Sequence, residues 1–206
     1  MPREERQTLE EMHHPEEIRR RLREPARSSS LPDAILGGID GCVTTFAVVS
    51  GAFGAGFSAT VALVLGLANL VADGFSMAIS NYEAIKAQRE HVDGVRDDEH
   101  RHIDMVPDGE REEVRQIFRR KGFAGETLER VVETICSDRE VWVETMLREE
   151  HGLQTEGLSP LRSALVTFAA FLVVGAVPLL PYALPRLEIT QQFLASLGLA
   201  GLMFFL

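Results

Sequence analysis

Two stretches of this chain are almost free of charge, and they alternate with two stretches in which charge is crowded. Residues 31–85 and 158–206 are dominated by apolar side chains, whereas residues 1–27 and 86–156 hold most of the acids and bases. About 20 apolar residues in a helix suffice to cross a hydrocarbon layer of roughly 30 Å. The pattern therefore predicts an all-α, polytopic membrane helix bundle with a charged helical insert.

The first apolar stretch predicts two antiparallel spans joined by a short turn. Pro32 favours a helix start, and we expect this helix to run from Asp33 to about Ala55. The glycine-rich turn 54–56 carries no charge, and a second helix is predicted from about Ser58 to residue 85 or beyond.

The second apolar stretch predicts a third span over residues 161–184, with two prolines near its outer end. A fourth span begins near Gln192, but only about fifteen apolar residues remain before Leu206. A terminus in the middle of a membrane is physically unfavourable, so we expect the natural end of the protein to lie beyond this residue.

Charge outside the spans predicts their orientation. Arginines precede the first span, Lys86 and Arg89 follow the second, and the turn between them is neutral. By the positive-inside rule, the N-terminal segment 1–30 is cytoplasmic. The insert 88–157, which separates the spanning regions 31–87 and 158–206, is cytoplasmic as well. The net charge of −10 argues against a nucleic-acid partner, the N-terminus is too polar for a secretory signal, and two isolated cysteines predict no disulfide framework.

Two carboxylates interrupt the first two spans, which makes these spans the centre of interest. A charge at membrane depth costs about 2.5–3.5 kcal/mol, so such residues are usually functional. Asp40 lies in the first span, and Asn69, Asp73 and Met77 follow one another at helical spacing in the second. This set predicts a path for a cation; the competing interpretation is an Asn/Ser stripe that only hydrogen-bonds a neighbouring helix.

The charged insert predicts three helices, over residues 86–105, 110–121 and 126–151. Each offers ligands at helical spacing, and pairs of Glu-x-x-His with partner glutamates are typical of carboxylate-bridged metal sites in bundles. Ligands of this mixture favour Fe²⁺, Mn²⁺ or Zn²⁺ over Ca²⁺. A solvated acidic face is the alternative. The candidate ligands are Glu99, His102, Glu110, Glu113, Met146 and Glu150.

Small residues beside the first membrane acid predict a close helix contact. Gly37, Gly38 and Gly41 lie on one face, as in small-residue motifs that let helix backbones approach. The pattern leaves open whether that contact lies between subunits, and ordinary glycine enrichment in a membrane helix is the alternative interpretation.

The chain resembles the vacuolar iron transporter family in its bacterial branch. The residues that carry the resemblance begin with Asp40-Gly-Cys-Val-Thr-Thr-Phe, continue with Gly66-Leu-Ala-Asn-Leu-Val-Ala-Asp-Gly-Phe-Ser-Met-Ala-Ile-Ser-Asn-Tyr82, and end with Pro107-x-x-Glu110-x-x-Glu113 and Trp142-x-x-x-Met146-x-x-x-Glu150. The resemblance spans residues 31–206. There are departures: Asn69 and His102 stand where a glutamate is usual, and Leu147 stands where a second methionine can occur.

The resemblance implies a homodimer with five membrane helices per subunit, the fifth of which is missing here, and a cytoplasmic three-helix metal-binding domain. It implies that Asp40 and Met77 belong to the transport path and that the six ligands of the insert form the cytoplasmic site. It also implies export of cytosolic Fe²⁺, commonly in exchange for protons, with Mn²⁺, Zn²⁺ or Co²⁺ as further substrates and no prosthetic group. The expected location is the bacterial inner membrane.

Two rival functions remain open from the sequence. A membrane-anchored di-iron ferroxidase would use the Glu/His bundle, but it leaves Asp40 and Asp73 unexplained. A membrane metal sensor would use the insert to signal to a partner. We expect a transporter rather than an enzyme.

Overall fold

A computed structural model describes residue 5 and residues 12–23, 30–154, 159–184 and 186–203. The prediction of an all-α chain is confirmed for these residues. The last three residues of the predicted fourth span lie outside them. In chain order, the helices are α1 (Pro15–Arg23), α2 (Leu31–Gly54), α3 (Ala59–Met105), α4 (Pro107–Arg120), α5 (Gly125–Cys136), α6 (Arg139–Glu149), α7 (Pro160–Gly175), a 3₁₀ helix (Val177–Ala183) and α8 (Ile189–Met203).

The chain divides into two compact units. The membrane unit comprises Ser29–Glu110 and Ser159–Leu206, and the charged unit comprises Met1–Ser28 and Arg111–Leu158. α2 and α3 are each long and apolar enough to cross a membrane, and α7 with the 3₁₀ helix qualifies as a third, bent span. The protein is therefore a multi-pass membrane protein.

The hairpin of α2 and α3 follows the sequence closely. α2 begins with Pro32 in its first turn and ends at Gly54. Gly56 then adopts a φ of 72°, which only glycine takes without strain. The Ser58 hydroxyl accepts a hydrogen bond from the Val61 amide and so caps α3.

α3 is a single uninterrupted helix of 47 residues. At 1.5 Å per residue it is about 70 Å long, more than twice the thickness of a hydrocarbon core. The sequence predicted that the second span would extend beyond residue 85, and it does. The predicted domain boundary at residues 87/88 lies inside this helix, and the insert as a separate domain stays a prediction.

The third span is bent where prolines replace hydrogen-bond donors. α7 ends at Gly175, and the 3₁₀ helix that follows holds Pro178 and Pro181 and turns by 40°. The third span predicted over residues 161–184 is therefore bent near its outer end, because two prolines remove the backbone N–H groups that an α-helix needs. The Ser196 hydroxyl of α8 donates to the Pro178 carbonyl at 2.8 Å and fixes this bend.

The glycine face of α2 packs within the chain, against α7. A Cβ on Gly37 would lie 2.2 Å from the Thr167 carbonyl oxygen, and one on Gly41 would lie 2.5 Å from the Phe171 carbonyl oxygen. A Cβ on Gly175 would lie 2.8 Å from the Gly41 carbonyl oxygen. The close contact that the sequence predicted is confirmed, and it is occupied by a helix of the same subunit rather than by a second copy.

In the charged unit, the helix predicted over residues 126–151 is broken in two. α5 ends at Cys136, and the Asp138 carboxylate accepts hydrogen bonds from the amides of Glu140 and Val141, which caps α6. The long third helix was therefore wrong, since this cap starts a new helix. α4 and α5 are tied by Arg115, whose guanidinium donates to both oxygens of Glu129 at 3.0 Å.

Candidate metal sites

The two membrane acids lie near one another across the α2–α3 hairpin. Asp73 is close enough to Asp40 for their carboxylates to repel. Asp40 and Met77 also line one open apolar groove along α2, together with Leu31, Pro32, Ile35, Leu36, Ile39 and Val43. A carboxylate and a thioether therefore converge at a single apolar surface, which is a mixed hard and soft ligand pair for a transition-metal ion.

Asn69 has a structural contact one turn deeper in the hairpin. Its side-chain amide donates to the Thr44 hydroxyl at 3.3 Å, and that hydroxyl donates to the Asp40 carbonyl at 2.9 Å. This link between α2 and α3 is the interhelical hydrogen bonding that the sequence offered as the competing interpretation of the polar stripe. A direct role for Asn69 in the path stays a prediction.

A third polar cluster of the membrane unit was missed by the sequence reasoning. The Asn81 amide donates to Asp33 Oδ1 at 2.9 Å and to the Thr167 hydroxyl at 2.8 Å. Helical spacing carried the signal, since Asp33 precedes Asp40 by seven residues and Asn81 follows Met77 by four. Only the structure adds Thr167, which comes from α7.

Three of the predicted ligands meet where α3 ends and α4 begins. Side-chain ligand atoms of Glu99, His102 and Glu110 all lie within 4.8 Å of one another. His102 Nδ1 is 3.5 Å from a Glu110 oxygen and 4.0 Å from a Glu99 oxygen. Both distances fit two ligands of one ion, which lie at most about 4.2 Å apart at metal–ligand distances near 2.1 Å.

Burial gives this cluster its electrostatic character. Glu99 and Glu110 are almost fully buried, with 2% and 4% of their surface exposed, whereas His102 is exposed. Two carboxylates held this close in a buried place repel each other, and a cation between them would offset that repulsion. The partly open imidazole side leaves a route for an ion.

The other three predicted ligands belong to the charged unit. Met146 of α6 is fully buried there, and Glu113 and Glu150 are exposed. The long predicted helix that was to carry Met146 and Glu150 is shorter, and Glu150 forms its C-cap. Their membership in one ligand set with Glu99, His102 and Glu110 stays a prediction.

Arginine–glutamate pairs set the local charge of the charged unit. Hydrogen bonds from Arg115 lower the pKa of Glu129, and with a further bond from Gln116 they lower the pKa of Glu112. Burial raises the pKa of the Cys136 thiol, which keeps it protonated and unreactive at neutral pH. The two acids are therefore paired with Arg115 inside the charged unit.

Comparison with known proteins adds a family to this geometry. Residues 31–206 match the family profile described as VIT family. The chain is 34% identical over 175 residues to Vacuolar iron transporter 2 of Oryza sativa subsp. japonica, covering 84% of this chain and 71% of that protein. It is 33% identical over 148 residues to the Vacuolar iron transporter of Toxoplasma gondii, covering 70% and 49%.

A third relative matches a larger share of the chain. Vacuolar iron transporter 1 of Oryza sativa subsp. japonica is 31% identical over 196 residues, which is 94% of this chain and 75% of that protein. This chain thus spans between about half and three quarters of these relatives. All three names describe transporters and none describes an enzyme, in agreement with the prediction.

Proposed function

The chain belongs to the VIT family, and from that premise we propose that it exports Fe²⁺ from the cytosol across a membrane in exchange for protons. The observation that carries the proposal is the convergence of Asp40, Asp73 and Met77 at the α2–α3 hairpin. A structural hydrogen-bonding stripe would not need two acids that repel. A dication held between them would offset both charges.

The ligand types favour the substrate and the exchange. Carboxylate oxygen with thioether sulfur suits Fe²⁺ better than Ca²⁺ or Mg²⁺, and Mn²⁺, Zn²⁺ and Co²⁺ are further candidates. Carboxylates bind metal only when deprotonated, so metal and protons compete for the same oxygens. When the ion leaves Asp40 and Asp73, a proton can take its place, which is the simplest route to antiport.

The cluster of Glu99, His102 and Glu110 acts as the capture site in this proposal. It would take Fe²⁺ from the cytosol at the far end of the same helix that carries Asp73 and Met77. Glu113, Met146 and Glu150, which belong to the charged unit, are further metal ligands in this proposal. The N-terminus and this site face the cytoplasm, as the positive-inside rule predicts, and the membrane is the bacterial inner membrane.

We infer that two subunits pair, as the family resemblance implies. The open groove that holds Asp40 and Met77 is lined by large apolar side chains of α2 that are about half exposed, including Ile35, Leu36 and Ile39. The glycine face of α2 is occupied by α7, so the groove side of the helix is the face left for a second subunit.

Flux in proteoliposomes tests the proposal. With a pH gradient imposed, purified protein should move Fe²⁺ into the more acidic compartment as protons leave it, and Asp40→Asn and Asp73→Asn should each abolish this flux. Asp93→Asn is the matched control, because it removes the same charge from an exposed position of α3 outside the predicted span. Normal flux in Asp40→Asn would refute the mechanism.

Iron oxidation by the same protein tests the ferroxidase alternative, which the clustering of Glu99, His102 and Glu110 favours. The transporter proposal expects Fe²⁺ to cross the bilayer without net oxidation. Stoichiometric oxygen consumption without flux would favour the enzyme.

A further inference from the structure

We propose that Asp33 is an additional stop for the cation, at the end of the membrane unit nearest the capture site, and that Asn81 and Thr167 position its carboxylate. This inference rests on the proposed transport function. It concerns the polar cluster of α2, α3 and α7, which neither the membrane acids nor the cytoplasmic ligands include.

The cluster is well built. One amide group, that of Asn81, uses its two N–H donors on partners from two other helices, Asp33 at 2.9 Å and Thr167 at 2.8 Å. The Thr167 hydroxyl is fully buried and in turn lies 3.4 Å from the Asp33 carbonyl oxygen. Side chains of α3 and of the more distant α7 therefore fix the position of a single carboxylate on α2.

Asp33 lies in the first turn of α2, where the helix dipole favours a negative charge, but the clamp itself does not require one. Asn81 needs only an acceptor at position 33, and an asparagine there would supply one with the same shape. Among the described residues of the chain, no lysine or arginine forms an ion pair with Asp33. Asn81 occupies Oδ1, so Oδ2 remains available to a cation.

The position along the helices is that of a step before Asp40. Asp33 and Asp40 are seven residues apart on α2, which places them about 10 Å apart along the axis and within roughly 20° of one face. Asn81 lies four residues from Met77 on α3, about 6 Å nearer the capture site. An ion that approaches from the capture site along α3 reaches the level of Asp33 before that of Met77 and Asp40.

The variant Asp33→Asn separates the charge from the clamp. It keeps the hydrogen bond from Asn81 and removes the negative charge, with Asp93→Asn as the matched control. In proteoliposomes, we expect the KM for Fe²⁺ to rise roughly tenfold in Asp33→Asn, equivalent to about 1.4 kcal/mol. Its thermal midpoint in detergent should stay that of the unsubstituted protein, and Asp93→Asn should change neither quantity.

Unchanged KM in Asp33→Asn would overturn this inference. The transport proposal would stand, because it is tested separately by the loss of flux in Asp40→Asn. Failure of the unsubstituted protein to move Fe²⁺ would overturn the transport proposal and this inference with it. The two failures are therefore distinguishable in one set of measurements.

Variants of Thr167 test the positioning role. Thr167→Val keeps the side-chain shape and removes the hydroxyl that Asn81 binds, so the KM should rise, and Thr167→Ser should restore it. A lower thermal midpoint with unchanged KM in Thr167→Val would reduce Thr167 to a packing residue and overturn that part of the proposal.

Discussion

Gly41 offers the sharpest test of how the membrane unit is packed. A Cβ added there would lie 2.5 Å from the Phe171 carbonyl oxygen and 3.0 Å from the Phe171 Cα. Ordinary contacts begin near 3.4 Å, so the backbones of α2 and α7 would have to separate by most of an ångström. Overpacking of this kind costs about 1–3 kcal/mol.

Gly51→Ala is the matched control on the same helix, because a Cβ at that position meets nothing within 4 Å. Both substitutions gain the same helix propensity of about 1 kcal/mol, so their difference isolates the clash. For a chain of this size, 1 kcal/mol shifts the thermal midpoint by about 2–4 °C. We expect Gly41→Ala to melt about 2–12 °C below Gly51→Ala.

Thermal unfolding of the detergent-purified variants, followed by far-UV circular dichroism, measures this difference, because helix α2 itself contributes to that signal. Equal midpoints would refute the reasoning, since the close approach of Gly41 to α7 would then not exist. Mass measurement in detergent adds a second check. Should Gly41→Leu split a dimer without lowering the stability of the monomer, the glycine face would belong between subunits.

Three further outcomes are expected. Arg115→Gln should lower the thermal midpoint at pH 7, because it removes the partner that lowers the pKa values of Glu112 and Glu129. The stability that this pairing contributes is present above the ordinary glutamate pKa of 4.5 and is lost as pH falls through the lower folded values. The difference in midpoint between variant and parent should therefore shrink in acid, and a difference independent of pH would contradict this reasoning. Glu110→Gln should weaken binding of Mn²⁺ or Co²⁺ to the detergent-solubilised protein in calorimetry, and binding to the parent should fade on acidification as protons compete with the ion; equal affinity in the variant would reduce the cluster to a structural contact. Ser196→Ala leaves a buried carbonyl of the 3₁₀ helix without its donor and should cost about 1–3 kcal/mol in unfolding measurements, whereas an unchanged midpoint would show that the bend holds itself.

Periodicity and turn chemistry were enough to predict the spanning hairpin. Pro32, the glycine turn and the Ser58 cap are local signals, and each defines a helix boundary by its own backbone preference. Two antiparallel helices of known rise bring residues of equal depth together, which is why Asp40 and Asp73 lie near one another. The same arithmetic placed Glu99 and His102 on one face.

Contacts between helices distant in sequence were beyond such arithmetic. The glycines of α2 predict a close partner but carry no information on which helix it is, and the answer, α7, depends on the packing of the whole unit. Asn81 was visible as a polar residue of α3, yet its partner Thr167 lies 86 residues away. The break between α5 and α6 could have been predicted from the sequence, because Asp138 ahead of Glu140 and Val141 is a local capping signal.

Because α3 is unbroken, the number of residues between two of its side chains fixes the angle between them around the helix axis. Asn81 and Glu99 are eighteen residues apart, which is about five full turns, so both point from the same side of one rod. One residue inserted or deleted between them would rotate the cytoplasmic ligands by about 100° relative to the membrane stripe while leaving every individual site intact. Length changes in this segment should therefore be tolerated only in steps near seven or eleven residues, which makes the spacing itself, rather than any side chain between positions 81 and 99, the constrained trait.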